Sequence, residues 1–165
     1  MSVVIVNPGG RKKIYQGLGN SLTAIEPPLW SRLIAGYLLD RDIETSIVDT
    51  EALEIDAKKS VELINKLSPQ LVVVVVFGHQ PSASTQTMIA ARELGNALKE
   101  SNHKGKTLIV GGHVAALPLE TMKNEPFDFC CAGEGPETAF QLYRALVKGC
   151  SFDDVAGLAW KDEFG

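Results

Sequence analysis

The sequence predicts an α/β protein built on a doubly wound parallel sheet of five strands, with helices on both faces and a short extra strand near the C-terminal end. Two observations carry this prediction. Short β-branched runs alternate along the chain with stretches of helical period, as in repeated strand–helix–strand units. The run at 71–77 contains five successive valines and has no polar face, which is typical of a central strand covered by helices on both sides.

Each predicted strand is an apolar run that ends at a turn residue. The first is apolar throughout and leads into Asn7 and Pro8, the second ends at Asp49, and the fourth and fifth end at glycines. A short run at 157–161 is the extra strand, followed by residues that resemble a hairpin turn. The five main strands are predicted at 3–6, 44–48, 71–77, 107–110 and 127–132.

Helices are predicted where apolar residues recur at helical spacing between these strands. Pro27 and Pro28 open the first helix, because proline is tolerated in a first turn, and the apolar face of that helix runs from Trp30 to Leu38. Gly149 is the expected end of the last helix. The helices are predicted at 27–38, 57–67, 84–101, 117–124 and 136–148.

The composition favours one globular domain and excludes several classes of protein. The chain has 165 residues, 45% of them hydrophobic and 22% charged, which is too apolar for a disordered chain. A net charge of −4 without a basic run argues against nucleic acids and anionic membranes as partners. No run is long enough to span a bilayer, and the N-terminus lacks the basic flank of a signal peptide. Three cysteines without metal-ligand spacing indicate a reducing, cytoplasmic setting.

The candidate site lies in the segments that follow the strands, because ligands of such sheets bind outside the carboxyl ends of the strands. The segment at 7–20 is rich in glycine, and its basic residues, among them Arg11, suit closure over an anion. It lacks the spacing of a dinucleotide-binding or phosphate-binding glycine motif. An ordinary solvated loop is the alternative. Its candidate residues are Asn7, Pro8, Gly9 and Gly10.

The segment after the valine run supplies the second group of candidates, which are Gly78, His79, Ser82, Ser84 and Thr85. Gly78 permits close approach of a ligand. His79 either faces a ligand or is an ordinary surface histidine. Ser82 or Ser84 is also expected to cap the helix that follows.

Glycine-rich segments also follow the fourth and fifth strands. Paired glycines after a buried strand imply either a sharp turn or a ligand that approaches the backbone. Glu134 is a better ligand-binding candidate than Glu137, whose charge suits the first turn of the last helix. The candidates in these two segments are Gly111, Gly112, His113, Gly133, Glu134 and Gly135.

No catalytic motif accompanies these segments. The sequence has no HExxH, no nucleophile elbow and no Ser/His/Asp order. Cys130 and Cys131 are adjacent on a strand and are expected to be small buried hydrophobic residues. We therefore expect no catalytic residue and no metal ligand in this chain.

Several of these segments, taken together and in order, resemble the N-terminal cobalamin (B12)-binding domain of B12-dependent radical SAM proteins. That superfamily includes methyltransferases and enzymes of the anaerobic magnesium-protoporphyrin ester cyclase type. The resemblance extends from about residue 3 to residue 161. It rests on PPLWSRLIAGYL at 27–38, Val48 and Asp49, GGH at 111–113 with PLE at 118–120, and GEG at 133–135 with Glu137 and Thr138.

The resemblance implies a flavodoxin-like, Rossmann-like sheet that holds the corrin of cobalamin over the ends of the strands. The dimethylbenzimidazole tail would run down between the central strands, and the four loop segments would surround the cofactor. Glycines at 78, 111 and 112 would leave room for the tail. The resemblance also implies a domain at 1–150 and the start of a linker at 151–165, leading towards a radical SAM domain in the same or a partner chain.

Two departures from related patterns matter. The DxHxxG motif, whose histidine binds cobalt in some B12 domains, is absent, because Asn7 and Pro8 follow the first strand here. Cobalt would then have no such ligand from below, with His79 or His113 as weaker alternatives. The CxxxCxxC motif of radical SAM enzymes is also absent, so the 4Fe–4S cluster and S-adenosylmethionine would be bound by the radical SAM domain and not by this chain.

Two other functions stay open at this point. A cofactor-free signalling or interaction domain of flavodoxin-like fold is one, although a phospho-receiver would need an acidic cluster where Asn7 lies. A nucleotide- or nucleotide-sugar-binding domain is the other, with Asp49 on a ribose. Asp49 lies about twice the usual 20 or so residues beyond the first glycines.

Overall fold

The computed structural model describes residues 2–11, 24–78 and 81–161, and these form one sheet with helices on both faces. The strands are β1 (Val3–Asn7), β2 (Thr45–Asp49), β3 (Leu71–Val75), β4 (Lys106–Val110), β5 (Phe129–Cys131) and β6 (Leu158–Trp160). The helices of the described part are α1 (Leu29–Leu39), α2 (Ala57–Leu67), α3 (Pro81–Glu100), α4 (Gly112–Ala116), α5 (Pro118–Asn124) and α6 (Pro136–Lys148).

The strand order is β2-β1-β3-β4-β5-β6, and the first five strands are parallel. The short strand β6 pairs antiparallel with β5. The predicted doubly wound sheet and its extra C-terminal strand are therefore confirmed. The order reverses between β1 and β3, since β2 lies on one side of β1 and all later strands lie on the other. In folds of this kind, that reversal is where ligands bind.

The valines of β3 divide between two hydrophobic cores, as a strand buried on both faces requires. Val73 and Val75 point towards the core beneath α1 and α6, which also contains Ile34. Val72 and Val74 point towards the other core, beneath α2 and α3. The prediction that this strand is central and covered on both sides is confirmed.

The ends of the predicted helices and strands lie within two residues of the prediction except at the start of α3, and α4 was not predicted. β5 begins two residues late, where the Asp128 carboxylate accepts hydrogen bonds from the Thr107 N–H and the Thr107 hydroxyl, both at 2.8 Å. Helix α3 begins at Pro81, three residues before the predicted start, because proline fits the first turn. Gly149 ends α6 at φ +66°, in the left-handed conformation expected of a terminating glycine.

The C-terminal segment packs against the domain. Phe152 makes an edge contact with Phe129 at 4.9 Å between ring centroids, and Trp160 lies 6.1 Å from Phe152. Val155 is buried in the α1/α6 core. None of the helices in the described part combines the length and the apolar character of a membrane span.

Candidate functional site

A cavity of about 330 Å³ opens where the strand order reverses, at the carboxyl ends of β1 and β3. We call it the switch-point cavity. It is lined by Asn7 of β1, by Val75, Phe77 and Gly78 at the end of β3, and by residues 26–31 at the start of α1. Its size and its mainly apolar walls are typical of a small-molecule site.

An aromatic pair forms one wall of this cavity. The rings of Trp30 and Phe77 stack at 4.2 Å between centroids with an interplanar angle of 21°. Trp30 belongs to α1 and Phe77 follows β3, so the pair joins the helix to the end of the central strand. Both are half-buried and present flat apolar surface to a planar ligand.

Asn7 is held in place by the end of β2. Its amide nitrogen donates to Asp49 Oδ1 at 2.9 Å, and its backbone carbonyl accepts from the Thr50 N–H at 3.0 Å and from the Thr50 hydroxyl at 2.9 Å. The bond to Asp49 uses one N–H of the Asn7 amide, so the amide oxygen can still accept a hydrogen bond and the second N–H can still donate one. The strand end thus supplies a fixed polar group to a mainly apolar cavity.

Ser31 lines the same cavity and is only 1% exposed. Its hydroxyl has no hydrogen-bond partner among the described residues. A serine inside a helix ordinarily satisfies its hydroxyl by bonding to the carbonyl four residues earlier, and Ser31 does not. A buried unpaired hydroxyl in a cavity wall is the feature expected where a ligand supplies the missing partner.

The second and third predicted segments meet on the α3 side of the sheet. The Ser84 hydroxyl donates to the Val76 carbonyl and accepts from the His113 N–H at 2.9 Å. Thr85 Oγ1 and His113 Nδ1 are 3.0 Å apart. The expectation that Ser82 or Ser84 caps α3 is wrong, because α3 begins at Pro81 and both serines lie inside it. The buried Ser84 hydroxyl joins the end of β3 to α4 instead. His79 and the side chain of Ser82 lie outside the described residues.

The glycines after β3 and β4 make room for the protein's own chain. A Cβ at Gly78 would lie 2.3 Å from Ala83 Cβ, and one at Gly111 would lie 2.4 Å from Val76 Cγ2. At Gly112 a Cβ would make only ordinary contact, 3.7 Å from Ser84 Oγ. Packing therefore explains Gly78 and Gly111 without a ligand, which was not the reason inferred from the sequence.

The segment after β5 places its acidic residues in different settings. Gly135 adopts φ +104°, and a Cβ there would lie 2.6 Å from Val110 Cγ1. Glu137 accepts hydrogen bonds from the hydroxyl of Tyr37 and, at 2.5 Å, from Gln141. These bonds lower the pKa of Glu137 and raise that of Tyr37. Glu137 thus joins α6 to α1.

Glu134, in contrast, is exposed beside Gly133 and has no hydrogen-bond partner in the described part of the chain. Its side chain stays available to a ligand over the carboxyl edge. That Glu134 binds a ligand stays a prediction.

The first loop encloses a second cavity on the other face of the sheet, which we call the α2/α3 cavity. It measures about 250 Å³ and is lined by Gly9, Glu51, residues of the α2 N-terminus such as Ser60, and Ala90 of α3. Glu51 accepts from the N–H groups of Gly10 at 2.7 Å and Arg11 at 3.1 Å, and from Arg11 Nε at 3.1 Å.

In this structure Arg11 therefore binds the carboxylate of Glu51. The sequence suggested instead that this basic loop closes over an anionic ligand. The rest of the basic segment, including Lys12 and Lys13, lies outside the described residues. Gly9 adopts φ +66° and Gly10 φ +134°, which explains why the turn around Glu51 uses glycines.

The cysteines behave as expected. Cys130 and Cys131 are fully buried, and burial raises the pKa of Cys130 to about 11. A thiol so protonated is neither a nucleophile nor a ready metal ligand at neutral pH. Among the described residues, no group of three or more His, Cys, Asp or Glu side chains is placed to hold a metal ion.

Comparison with known proteins identifies the family. The sequence pattern of the B12 binding domain matches residues 15–142. The chain belongs to the B12-binding domain family. The resemblance inferred from the loop motifs is thereby confirmed, and cobalamin is the cofactor that goes with this fold and family.

Two curated relatives cover nearly the whole chain. An uncharacterized methyltransferase, PH0819, of Pyrococcus horikoshii is 26% identical over 163 residues, which are 98% of this chain and 33% of the relative. The anaerobic magnesium-protoporphyrin IX monomethyl ester cyclase of Synechocystis sp. is 26% identical, over 98% of this chain and 31% of the relative. The chain thus spans about a third of the length of these relatives.

Solved structures share the fold. The radical S-adenosylmethionine methyltransferase TsrM of Kitasatospora setae, with cobalamin and a [4Fe-4S] cluster bound, matches with a TM-score of 0.77 and 19% identity, over 100% of this chain and 28% of that one. The cobalamin-dependent S-adenosylmethionine radical enzyme OxsB with aqua-cobalamin bound matches with a TM-score of 0.71 and 17% identity, over 99% of this chain and 21% of that one. The B12-binding domain is thus similar to those of cobalamin-dependent radical SAM enzymes.

Of the residues that line the switch-point cavity, only Asn7 and Gly78 are candidates from the sequence, and the lining residues Trp30, Ser31 and Phe77 are not. One signal was available. The Pro27–Pro28 pair stands immediately before α1, with Pro28 at its N-cap, and both prolines line the cavity together with the first turn of the helix.

Proposed function

We propose that this chain binds cobalamin with the corrin over the carboxyl edge of the sheet and the dimethylbenzimidazole tail in the switch-point cavity. The observation that carries the proposal is the cavity itself, which lies where the strand order reverses and is lined by Ser31, a residue whose buried hydroxyl is unpaired. The stacked rings of Trp30 and Phe77 suit a flat heteroaromatic base. The residues present therefore fit the tail.

The four loop segments are proposed to surround the corrin. Residues 7–10 would lie below one edge, and residues 111–113 and 133–135 would lie along the far side with the segment at 78–85. The exposed carboxylate of Glu134 suits the amide groups at the corrin rim, because a carboxylate accepts hydrogen bonds from amide N–H groups. In this arrangement the chain binds and orients the cofactor and excludes water from the base.

Cobalt is proposed to have no histidine ligand from this chain. β1 ends at Asn7 and is followed by Pro8 and two glycines, so the histidine of a DxHxxG pattern is absent there. The Nδ1 atom of His113 is within hydrogen-bond distance of Thr85, on the α3 side of the sheet and away from the lining of the switch-point cavity. The spectrum of bound hydroxocobalamin should therefore be the same in the wild type, in His113→Ala and in His79→Ala.

The protein that contains this domain is proposed to be a radical SAM enzyme of the methyltransferase or cyclase type. When bound, cobalamin would supply methyl transfer or assistance to a radical step. The 4Fe–4S cluster and S-adenosylmethionine would belong to a radical SAM domain, in the same chain or in a partner. Support comes from the two curated relatives, which are about three times as long and whose names describe a methyltransferase and a cyclase.

The direct test is retention of cobalamin by the purified chain. Hydroxocobalamin or methylcobalamin is added in excess, unbound corrinoid is removed by gel filtration, and the visible spectrum is recorded. We expect close to one corrinoid per chain, with the spectrum of a cofactor whose benzimidazole has left cobalt. No retained corrin absorbance at micromolar protein would reject the proposal. A thermal shift with nucleotides and none with cobalamins would favour a nucleotide-binding domain instead.

A further inference from the structure

We infer that Ser31 is a specificity-determining residue, whose hydroxyl donates a hydrogen bond to the ring nitrogen of the cofactor's lower base after that base has left cobalt. This inference rests on the proposed function, and it adds a residue that is not among the candidates in the segments after the strands. It also makes a chemical distinction. A cobamide whose lower base carries an acceptor nitrogen would gain the bond, and one whose base has no such nitrogen would not.

The hydroxyls of the other buried residues show how unusual Ser31 is. Ser60 donates to the Asp56 carbonyl at 2.7 Å, Thr138 to the Ala156 carbonyl at 3.0 Å, and Ser84 to the Val76 carbonyl. In the described part of the chain, Ser31 and Thr121 have the buried hydroxyls that lack a partner. The remaining unpaired buried polar atom there is His103 Nε2.

Only one of these two hydroxyls borders a cavity described above. Ser31 lines the switch-point cavity, whereas Thr121, in α5, lines neither that cavity nor the α2/α3 cavity. Both are almost fully buried, at 1% and 3% exposure. Thr121 is therefore a matched control for the loss of a buried, unpaired hydroxyl away from the proposed ligand.

The chemistry of the cavity selects the kind of group that would pair with Ser31. Its walls are mainly proline, leucine, valine and two stacked aromatic rings, with Asn7 and Glu26 as the other polar residues of the lining. A buried water needs two to four polar partners, and the apolar part of these walls supplies none. A flat aromatic ring that carries an unprotonated nitrogen would fill the apolar space and accept the Ser31 hydroxyl proton.

The test compares three corrinoids by equilibrium dialysis against the wild-type chain and the Ser31→Ala variant. Methylcobalamin carries a benzimidazole with an acceptor nitrogen. The methyl form of p-cresolylcobamide has a lower base without a ring nitrogen, and methylcobinamide has no lower base. Because the free corrinoids differ in how the base binds cobalt, the measured quantity is the ratio of variant to wild-type Kd for each compound.

We expect Ser31→Ala to raise the Kd of methylcobalamin about tenfold, as for the loss of one buried hydrogen bond. The Kd values of the p-cresolyl compound and of cobinamide should change less than twofold. Thr121→Val should leave all three Kd values unchanged. Circular dichroism of each variant checks that the fold is kept.

Three outcomes would overturn the inference. One is an unchanged Kd for methylcobalamin in Ser31→Ala, as expected if a water pairs with the hydroxyl. Another is an equal rise for methylcobalamin and the p-cresolyl compound, which would indicate altered packing. A third is the same rise in Thr121→Val. Failure of the wild type to bind any of the three corrinoids would instead reject the proposed function, so the two failures are distinguishable.

Discussion

The two cavities at the carboxyl edge of the sheet lie on opposite faces and differ in how their polar groups are satisfied. In the α2/α3 cavity, Glu51 accepts from two backbone N–H groups and from the Arg11 guanidinium, so the protein provides its own anion. In the switch-point cavity, the Ser31 hydroxyl is buried without a partner. The two cavities thus have similar volumes but differ in whether the protein itself pairs their polar groups. In the first cavity the protein pairs its own polar groups, and in the second, one buried hydroxyl has no partner within the described part of the chain.

The largest expected effect is on ligand affinity at the switch-point cavity. Trp30→Ala removes one of the two stacked rings of its wall, and the lost apolar contact of a half-buried ring is about 2 kcal/mol, or a roughly 30-fold rise in the Kd for methylcobalamin. Equilibrium dialysis measures this change. The matched control is Trp160→Ala on β6, which removes the chain's other tryptophan, on the opposite side of β5 from the cavity strands. Equal Kd values for Trp30→Ala and wild type would remove this wall from the site.

The second expected effect is on stability at the α2/α3 cavity. Glu51→Gln removes the charge that Arg11 and two N–H groups share, so we expect a loss of about 1.5 kcal/mol in the free energy of unfolding. For a chain of this size that corresponds to a fall in Tm of roughly 4 °C. Calorimetry measures the fall, and Glu54→Gln is the control, since Glu54 is 54% exposed and 3.8 Å from Arg11.

Glu51→Gln also tests whether the α2/α3 cavity takes part in cofactor binding. Because Glu51 serves the fold and not the ligand, Glu51→Gln should bind methylcobalamin within about twofold of the wild type at temperatures where it is folded. A much weaker affinity in the folded variant would place the α2/α3 cavity in the cofactor site.

A third, smaller effect follows from the unpaired hydroxyl of Ser31. Without a ligand, Ser31→Ala removes a buried group that has lost its hydration, so Tm should rise by about 3 °C, equivalent to about 1 kcal/mol. With saturating methylcobalamin the gain should disappear, because the wild-type hydroxyl is then paired. Thermal unfolding with and without the cofactor measures both values. A lower Tm for the ligand-free variant would contradict the assignment of this hydroxyl as unsatisfied.

The smallest effect concerns the contact that holds α1 against α6 beside the switch-point cavity. The hydrogen bond from Tyr37 lowers the pKa of Glu137 in the folded state, so this contact stabilises the protein above the unfolded pKa of Glu137, near 4.3, and is lost as the pH falls through the lower folded value. Urea unfolding at pH 7 and pH 3 should therefore show a smaller difference in Glu137→Gln than in the wild type. Glu134→Gln should keep the wild-type difference.

The sheet could be predicted from the sequence because its signals are local. The five valines of β3 identify a central strand without reference to any other segment. Helix α4 was missed because its five residues, beginning at Gly112, are too few to show a helical period. The late start of β5 depends on the Asp128 carboxylate reaching Thr107, a contact between distant residues that no pattern within β5 reveals.

The candidate site could be predicted only to the level of the loops. Position after a strand indicated which segments gather at the carboxyl edge, and the structure brings Ser84, Thr85 and His113 together there. The position of a segment along the sequence could not indicate that Trp30 and Phe77 stack, because the stacking depends on how α1 is rotated above β3. For the same reason the unpaired hydroxyl of Ser31 becomes visible only when the neighbours of the helix are known.

The stacked pair of Trp30 and Phe77 has a consequence for the rate of binding. The rings lie in contact and the Ser31 oxygen is screened from water, so the proposed bond between Ser31 and the base of the cofactor would require the first turn of α1 to shift. The corrin, in contrast, meets an open edge. Stopped-flow mixing should therefore resolve a first phase that accelerates with cobalamin concentration and a second phase that does not. Phe77→Leu, which loosens the stack, should speed up the second phase alone.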